Sequence, residues 1–214
     1  MTLTGDQIEN EGLTGWANLG GSLRTRVRTG SFVAGLALVD AVGAAAEEQG
    51  HHPDVDLRYP HVDITLTSHD AGGLTERDVR LARTVTALAA GSGLELDPGA
   101  VSRLELALDT PDRAAVLPFW RALLGYQGQP GSDDEVRDPA GALPPVWFQE
   151  SGSEEPRQRW HPDVWIDPTQ VQPRIDAALA AGGTLVDAEQ APSFWVLADP
   201  EGNRACLCTW QDRG

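Results

Sequence analysis

The spacing of hydrophobic and polar positions changes period several times along this chain. Leu23 to Thr29 reads as a strand of imperfect alternation. From Ser31 the period lengthens. Phe32, Leu36, Val39 and Val42 recur at helical spacing, and the predicted helix runs out through Glu47-Glu48-Gln49-Gly50. Val55, Leu57 and Tyr59 then alternate, and beyond Pro60 so do Val62, Ile64 and Leu66, which predicts two adjacent strands. Thr75-Glu76-Arg77-Asp78 has the form of a capping box with Asp in place of Glu. It opens a helix through Val79, Ala82, Val85 and Leu88 that stops at Gly91.

After the turn formers of residues 91–99 one pattern occurs twice. Leu104 to Asp109 is a predicted strand, Thr110-Pro111-Asp112 a helix start, and the helix reaches Gly125. Trp160 to Asp167 repeats the strand, Pro168-Thr169 the start, and that helix reaches Gly182. Asp109 and Asp167 stand 58 residues apart, and Gly125 and Gly182 stand 57 apart. Each unit continues into short strands, ending at Val146-Trp147-Phe148-Gln149 and at Arg204 to Trp210. These patterns predict an α+β protein of two domains, residues 1–92 and 100–214, the second a duplicated βαβββ module.

Composition narrows the partners. The 214 residues suffice for two domains with real cores. Asp and Glu outnumber the basic residues 32 to 16, every basic residue is arginine, and the formal net charge is −16. That balance excludes a nucleic-acid or anionic-membrane partner, because either demands a basic surface. The longest apolar stretch, Phe32 to Ala46, carries Asp40 and the glycines Gly35 and Gly43 and is not a membrane span. The N-terminus lacks the basic and apolar regions of a signal peptide. Cys206 and Cys208, two residues apart on a strand, point the same way and make a poor disulfide pair. A cytoplasmic protein with reduced thiols is expected.

The strongest chemical signal lies in histidines. Four of the five fall between His51 and His69. If a strand spans His61 to His69, Val62, Ile64 and Leu66 share its buried face, and His61, Asp63, Thr65, Thr67 and His69 share the other. The His51-His52 pair enters beside that strip from the preceding junction. Imidazoles exchange protons near neutrality, so several around one cavity suit an elimination of water, with no metal or cofactor required. His61 alone reads as solvated surface. Zinc at the His-His pair is disfavoured, because no cysteine or helically spaced histidine accompanies it.

Ala46-Glu47, His51-His52-Pro53-Asp54, Tyr59, Val62, Leu66-Thr67-Ser68-His69, Gly73-Leu74-Thr75, Asp78 and Leu81-Ala82 closely resemble the pterin-4a-carbinolamine dehydratases, over roughly residues 10–90. The resemblance implies an antiparallel sheet with helices on one face. It also implies a lyase that removes water from 4a-hydroxytetrahydropterin to give the quinonoid dihydropterin. It makes His51, His52 and His69 the catalytic set, with His51 and His69 as the acid/base pair and His52 positioning a small-molecule pterin substrate. Gly50 to His52 and Thr67, Ser68, His69 and Asp70 would line the pocket. A homo-oligomer is expected on the same ground. Val55 departs from the aromatic residue many members carry there.

Asp109-Thr110-Pro111-Asp112, Phe119-Trp120, Leu123-Leu124-Gly125-Tyr126, His161-Pro162-Asp163 and Asp199-Pro200-Glu201-Gly202-Asn203 resemble the glyoxalase-like, vicinal-oxygen-chelate superfamily, over about residues 101–212. Metal-using members take a ligand from each of several strands lining a concave sheet. Alternation points Leu104, Leu106 and Leu108 toward the helices and Glu105, Gln149, His161 and Cys206 into the concavity. Those four fall near the superfamily's ligand positions, with Cys206 where a glutamate is usual. A divalent metal in this domain and a metal-free aromatic pocket of Trp147, Trp165 and Trp195 both stay open, as does a structural or dimerising role. Two other readings compete with the lyase: a metal-dependent lyase, isomerase or dioxygenase in the second domain, and a non-catalytic pterin-binding or regulatory module.

Overall fold

A computed structural model describes residues 1–128, 132–152, 159–198, 202 and 204–213. They form two compact units, one built mainly from Met1–Ser102 and the other from Arg103–Trp165 and Val171–Cys208. Among the described residues no helix is long and apolar enough to cross a membrane.

The first unit runs α1 (Gly5–Asn10), β1 (Ala17–Asn18), β2 (Leu23–Arg28), α2 (Phe32–Gln49), β3 (Asp54–Arg58), β4 (His61–Leu66), α3 (Glu76–Gly91) and β5 (Glu95–Asp97). Its antiparallel sheet has the order β1-β2-β4-β3, with β5 on β2. Leu23 and Val27 of β2 and Val62, Ile64 and Leu66 of β4 are almost completely buried. They form one core with Leu38, Val42 and Ala46 of α2 and Val79, Ala82, Val85 and Ala89 of α3. Gly35 allows α2 to lie close on the sheet, since a Cβ there would stand 2.6 Å from Leu57 Cδ1. On the opposite face Arg26 makes a bidentate pair with its cross-strand neighbour Asp63, at 2.7 and 2.6 Å.

Three expectations change here. Residues 94–97, expected to link the domains, instead carry β5, because Leu94 and Leu96 pack against the first core and Asp97 pairs with Arg28. The alternation of Val55, Leu57 and Tyr59 buries only part of a face: Leu57 packs against the core, but Val55 and Tyr59 are exposed, since β3 is the outer strand of its sheet and ends before Tyr59. The strand expected to reach His69 ends at Leu66, and Ser68 to Gly73 form a turn closed by an isolated bridge.

The second unit repeats one motif. The first copy is β6 (Arg103–Thr110), α4 (Arg113–Leu124), β7 (Gln127–Gly128), β8 (Glu135–Arg137) and β9 (Val146–Glu150). The second is β10 (Trp160–Trp165), α5 (Val171–Ala180), β11 (Thr184–Asp187), β12 (Phe194–Ala198) and β13 (Arg204–Cys208). The sheet order β11-β12-β13-β10-β6-β9-β8-β7 has the same internal order in each half, and the halves join through the antiparallel β6–β10 pair. Leu106 and Leu108 pack with Val116, Leu117 and Trp120 of α4, around buried Val136, Val146 and Phe148. Leu104, expected to join them, is 41% exposed, because it stands at the start of β6 outside that cluster. The Asp199-to-Asn203 run, Gly202 apart, and the side chains of Phe119 and Leu123 lie outside the described residues.

Candidate active site

The position of His51 is set by how α2 ends. Gly50 adopts a left-handed conformation, φ 60°, and the His51 amide donates back to the Ala46 carbonyl at 3.1 Å. This reversal delivers His51 into the protein interior, where it is 7% exposed. Gly50→Ala is therefore expected to lower stability by about 1–2 kcal/mol, the usual cost of forcing an L-residue into that region. A urea melt measures it.

His51 meets the N-terminus of α3. Its Nε2 lies 2.7 Å from Oδ1 of Asp78, which is fully buried. Asp78 is the third residue of α3 and closes the capping box that Thr75 opens. Its Oδ2 accepts from the Thr75 amide at 2.7 Å, from Ser68 Oγ at 2.7 Å and from Thr75 Oγ1 at 3.3 Å. An ionised carboxylate only accepts, so the ring hydrogen between His51 and Asp78 belongs to Nε2. In neutral His51 the lone pair then sits on Nδ1, which makes no hydrogen bond among the described residues.

The other expected residues lie nearby along the chain but differ in environment. His52 is exposed, with Nε2 3.0 Å from Glu47 Oε1. His69 is exposed in the turn after β4. Ser68 is buried and committed to Asp78 and Thr75, Thr67 Oγ1 donates to the Gly21 carbonyl, and exposed Asp70 pairs with Arg77. The hydrogen bond to Arg77 holds the Asp70 carboxyl below the usual carboxylate range. The β3–β4 ladder begins at Asp54 and Thr65, so the His51-His52 and Ser68-His69 segments leave the sheet at the same end. His51 and Ser68 then converge on Asp78. The sequence marks Asp78 as a helix cap and as one of the residues that carry the family resemblance, with no chemical role attached. Its link to His51, 27 residues away, carries no local signal.

In the second unit the register settles which face each residue takes. Glu105 pairs with Asp163 and Ala107 with His161 across β6–β10, and Asp163 with Cys206 across β10–β13. The ligand atoms of His161, Asp163 and Cys206 all lie within 4.8 Å of one another. Glu105 shares their face but is held by Arg103 Nη2 at 2.6 Å and by Trp165 Nε1 at 2.9 Å. Gln149 is exposed. Trp147 donates to Asp163 Oδ2 at 3.0 Å, whereas Trp195 pairs with Leu207, one residue off the Cys206 register, and so lies on the opposite face from Trp147 and Trp165. Burial pushes the Asp163 carboxyl up, against the pull of His161, Cys206 and Trp147.

Residues 1–88 match the family model of pterin 4 alpha carbinolamine dehydratase. A protein of Nocardia farcinica, provisionally named a pterin-4-alpha-carbinolamine dehydratase, is 46% identical over 89 residues, which are 41% of this chain and 94% of that protein. This chain belongs to the pterin 4 alpha carbinolamine dehydratase family. The dehydratase match ends before the second unit, where residues 105–208 match the model of the glyoxalase-like domain. Among solved structures, a transcriptional coactivator/pterin dehydratase from Brucella melitensis is 27% identical with TM-score 0.40, covering 42% of this chain and 99% of its own. A glyoxalase/bleomycin resistance protein/dioxygenase superfamily member from Vibrio splendidus is 13% identical with TM-score 0.35, covering 50% of this chain and 98% of its own. Family membership and an α+β architecture with a fused glyoxalase-like domain agree with the expectations from sequence.

Proposed function

We propose that the first unit is a hydro-lyase that converts a 4a-hydroxytetrahydropterin to the quinonoid dihydropterin and water. The observation that carries this reading is the buried His51–Asp78 pair, which leaves a fixed imidazole with its lone pair on Nδ1. Loss of water from the carbinolamine needs a proton taken from a ring nitrogen and a proton given to the departing hydroxyl. His51 takes the first, because Asp78 holds its tautomer and orientation, as an oriented general base requires. His69, exposed at the same end of the sheet, gives the second. His52 and the Gly50–His52 backbone bind the pterin edge. No metal or cofactor takes part in this chemistry.

Membership in the dehydratase family supports the reading, and the intact His51–Asp78–Ser68 connection agrees with it. The test is a steady-state assay of 4a-carbinolamine breakdown with the full chain. The expected result is breakdown faster than the uncatalysed reaction and proportional to protein concentration. Micromolar pterin binding with no acceleration would replace the lyase by a pterin sensor.

A further inference from the structure

One imidazole in the second unit stands between two carboxylate oxygens that nothing else completes. Among the described residues, Asp163 Oδ1 and Asp109 Oδ1 are both buried and have no hydrogen-bond partner. His161 Nε2 lies 3.6 Å from the first, and His161 Nδ1 lies 3.8 Å from the second. Both separations are too long for hydrogen bonds, so the ring satisfies neither oxygen. Leaving such groups unmet is costly and calls for an explanation.

We propose that His161, Asp163 and Cys206 bind one divalent transition-metal ion, zinc by preference, through His161 Nε2, Asp163 Oδ1 and Cys206 Sγ. The parallel pairing of β10 and β13 sets Cys206 beside Asp163, and His161 stands two residues away on the same face. Neighbouring ligands about a tetrahedral zinc, with bonds of about 2.0–2.3 Å, are separated by roughly 3.3–3.7 Å. The 3.6 Å between His161 and Asp163 matches that spacing. All three ligand atoms lie within 4.8 Å, so a side-chain adjustment closes the set. A nitrogen, an oxygen and a sulfur together suit a borderline ion and disfavour calcium or magnesium.

The surroundings fit a metal ligand set more closely than they fit a resting histidine. With Nε2 on the ion, Nδ1 carries the hydrogen and points it at Asp109 Oδ1, the carboxylate–histidine relation that fixes a ligating ring. Trp147 Nε1 holds Asp163 Oδ2 at 3.0 Å and leaves Oδ1 for the ion. The Cys206 thiol, now hydrogen-bonded to the Asp163 carboxyl, releases its proton to solvent when it ligates. Three protein ligands leave a fourth position open to water or to a donor atom of a small molecule. Two ligands from one strand and one from its neighbour is a different set from the one-per-strand arrangement suggested by Glu105, Gln149, His161 and Cys206. Glu105 stays with Arg103 and Trp165.

The test uses the full chain, reduced and stripped with a chelator, then titrated with cobalt(II) as an optical probe and with zinc in competition. One equivalent is expected, with a thiolate-to-cobalt charge-transfer band in the near ultraviolet. Cys206→Ser should remove the band, and Cys208→Ser should keep it. Asp109→Asn, which alters the oxygen facing His161 Nδ1, should weaken zinc binding about 10–100-fold, and His161→Ala or Asp163→Asn by more. His51→Ala should leave metal binding unchanged, so this result stands apart from the fate of the dehydratase reading. No band from the wild-type chain under excess cobalt overturns the proposal, and so does a band that survives Cys206→Ser.

Discussion

Asp78→Asn is expected to lower kcat/KM for carbinolamine dehydration by roughly 10²–10⁴-fold while the chain stays folded. The substituted amide can set its oxygen where Oδ2 now accepts from the Thr75 amide and Ser68 Oγ, so the cap on α3 survives. Its NH₂ then faces His51 Nε2 at the position of Oδ1, donor against donor. His51 resolves the clash by moving its hydrogen to Nδ1. That consumes the lone pair proposed to take the substrate proton. His51→Ala should lose at least a hundredfold as well. It also leaves Asp78 Oδ1 buried without a partner, at a stability cost of about 1–3 kcal/mol, and so confounds chemistry with folding. Asp78→Asn separates the two. Turnover is read by the steady-state assay, and folding by circular dichroism and a thermal melt. A variant within threefold of wild type would mean that the tautomer of His51 does not matter, and the assigned base would be wrong.

How much was legible in the chain follows from how local each signal is. α2 and α3 could be read because their ends are written in adjacent residues: Ser31 accepts from the Ala34 amide, Gly50 reverses the chain, and Thr75 and Asp78 cap each other. The duplication in the second unit was legible for a similar reason. Each copy carries its own strand, helix start and glycine stop, and the observed order of strands is the same in both halves. Pairings between distant segments left no such mark. β5 is three residues long, too short for the alternation of Leu94, Glu95, Leu96 and Asp97 to stand out among turn formers, and its pairing with β2 makes it a strand. Trp195 looked like a wall of the concave face until its register with Leu207 turned it to the other side.

The functional residues divide along the same line. His51, His52 and His69 stood out by type and spacing, but their unlike environments, one buried and two exposed, came only with the fold. Asp163 was hidden inside a strand beside the more conspicuous His161. The partner that makes it a candidate ligand, Cys206, lies on another strand, 43 residues further along the chain. Asp78 was hidden in another way, since its capping role already explained its presence. A residue with one sufficient local reason invites no search for a second.

Glu105→Ala is expected to destabilise the second unit by about 3–5 kcal/mol, whatever it does to any ligand. Glu105 and Arg103 are 12% and 11% exposed at their side chains and meet at 2.6 Å. Burial pulls the Arg103 guanidinium below its ordinary range, and Glu105 is the strongest influence opposing that pull. Even so shifted, a guanidinium stays charged, so removing Glu105 strips a buried cation of this partner. The same substitution takes the acceptor from Trp165 Nε1, now 2.9 Å from Oε2, inside a sheet strand that is itself buried at that point. Urea unfolding followed by tryptophan fluorescence measures the loss. Glu105→Gln, which keeps an acceptor for Trp165 but no charge for Arg103, should fall between alanine and wild type and apportion the two contributions. Replacing the pair together, Arg103→Met with Glu105→Leu, should recover most of the stability, because no lone charge is left in the interior. A cost below 1 kcal/mol for Glu105→Ala would show the pair to be well solvated. Glu105 would then be released from its structural duty and return to the concave face as a candidate ligand.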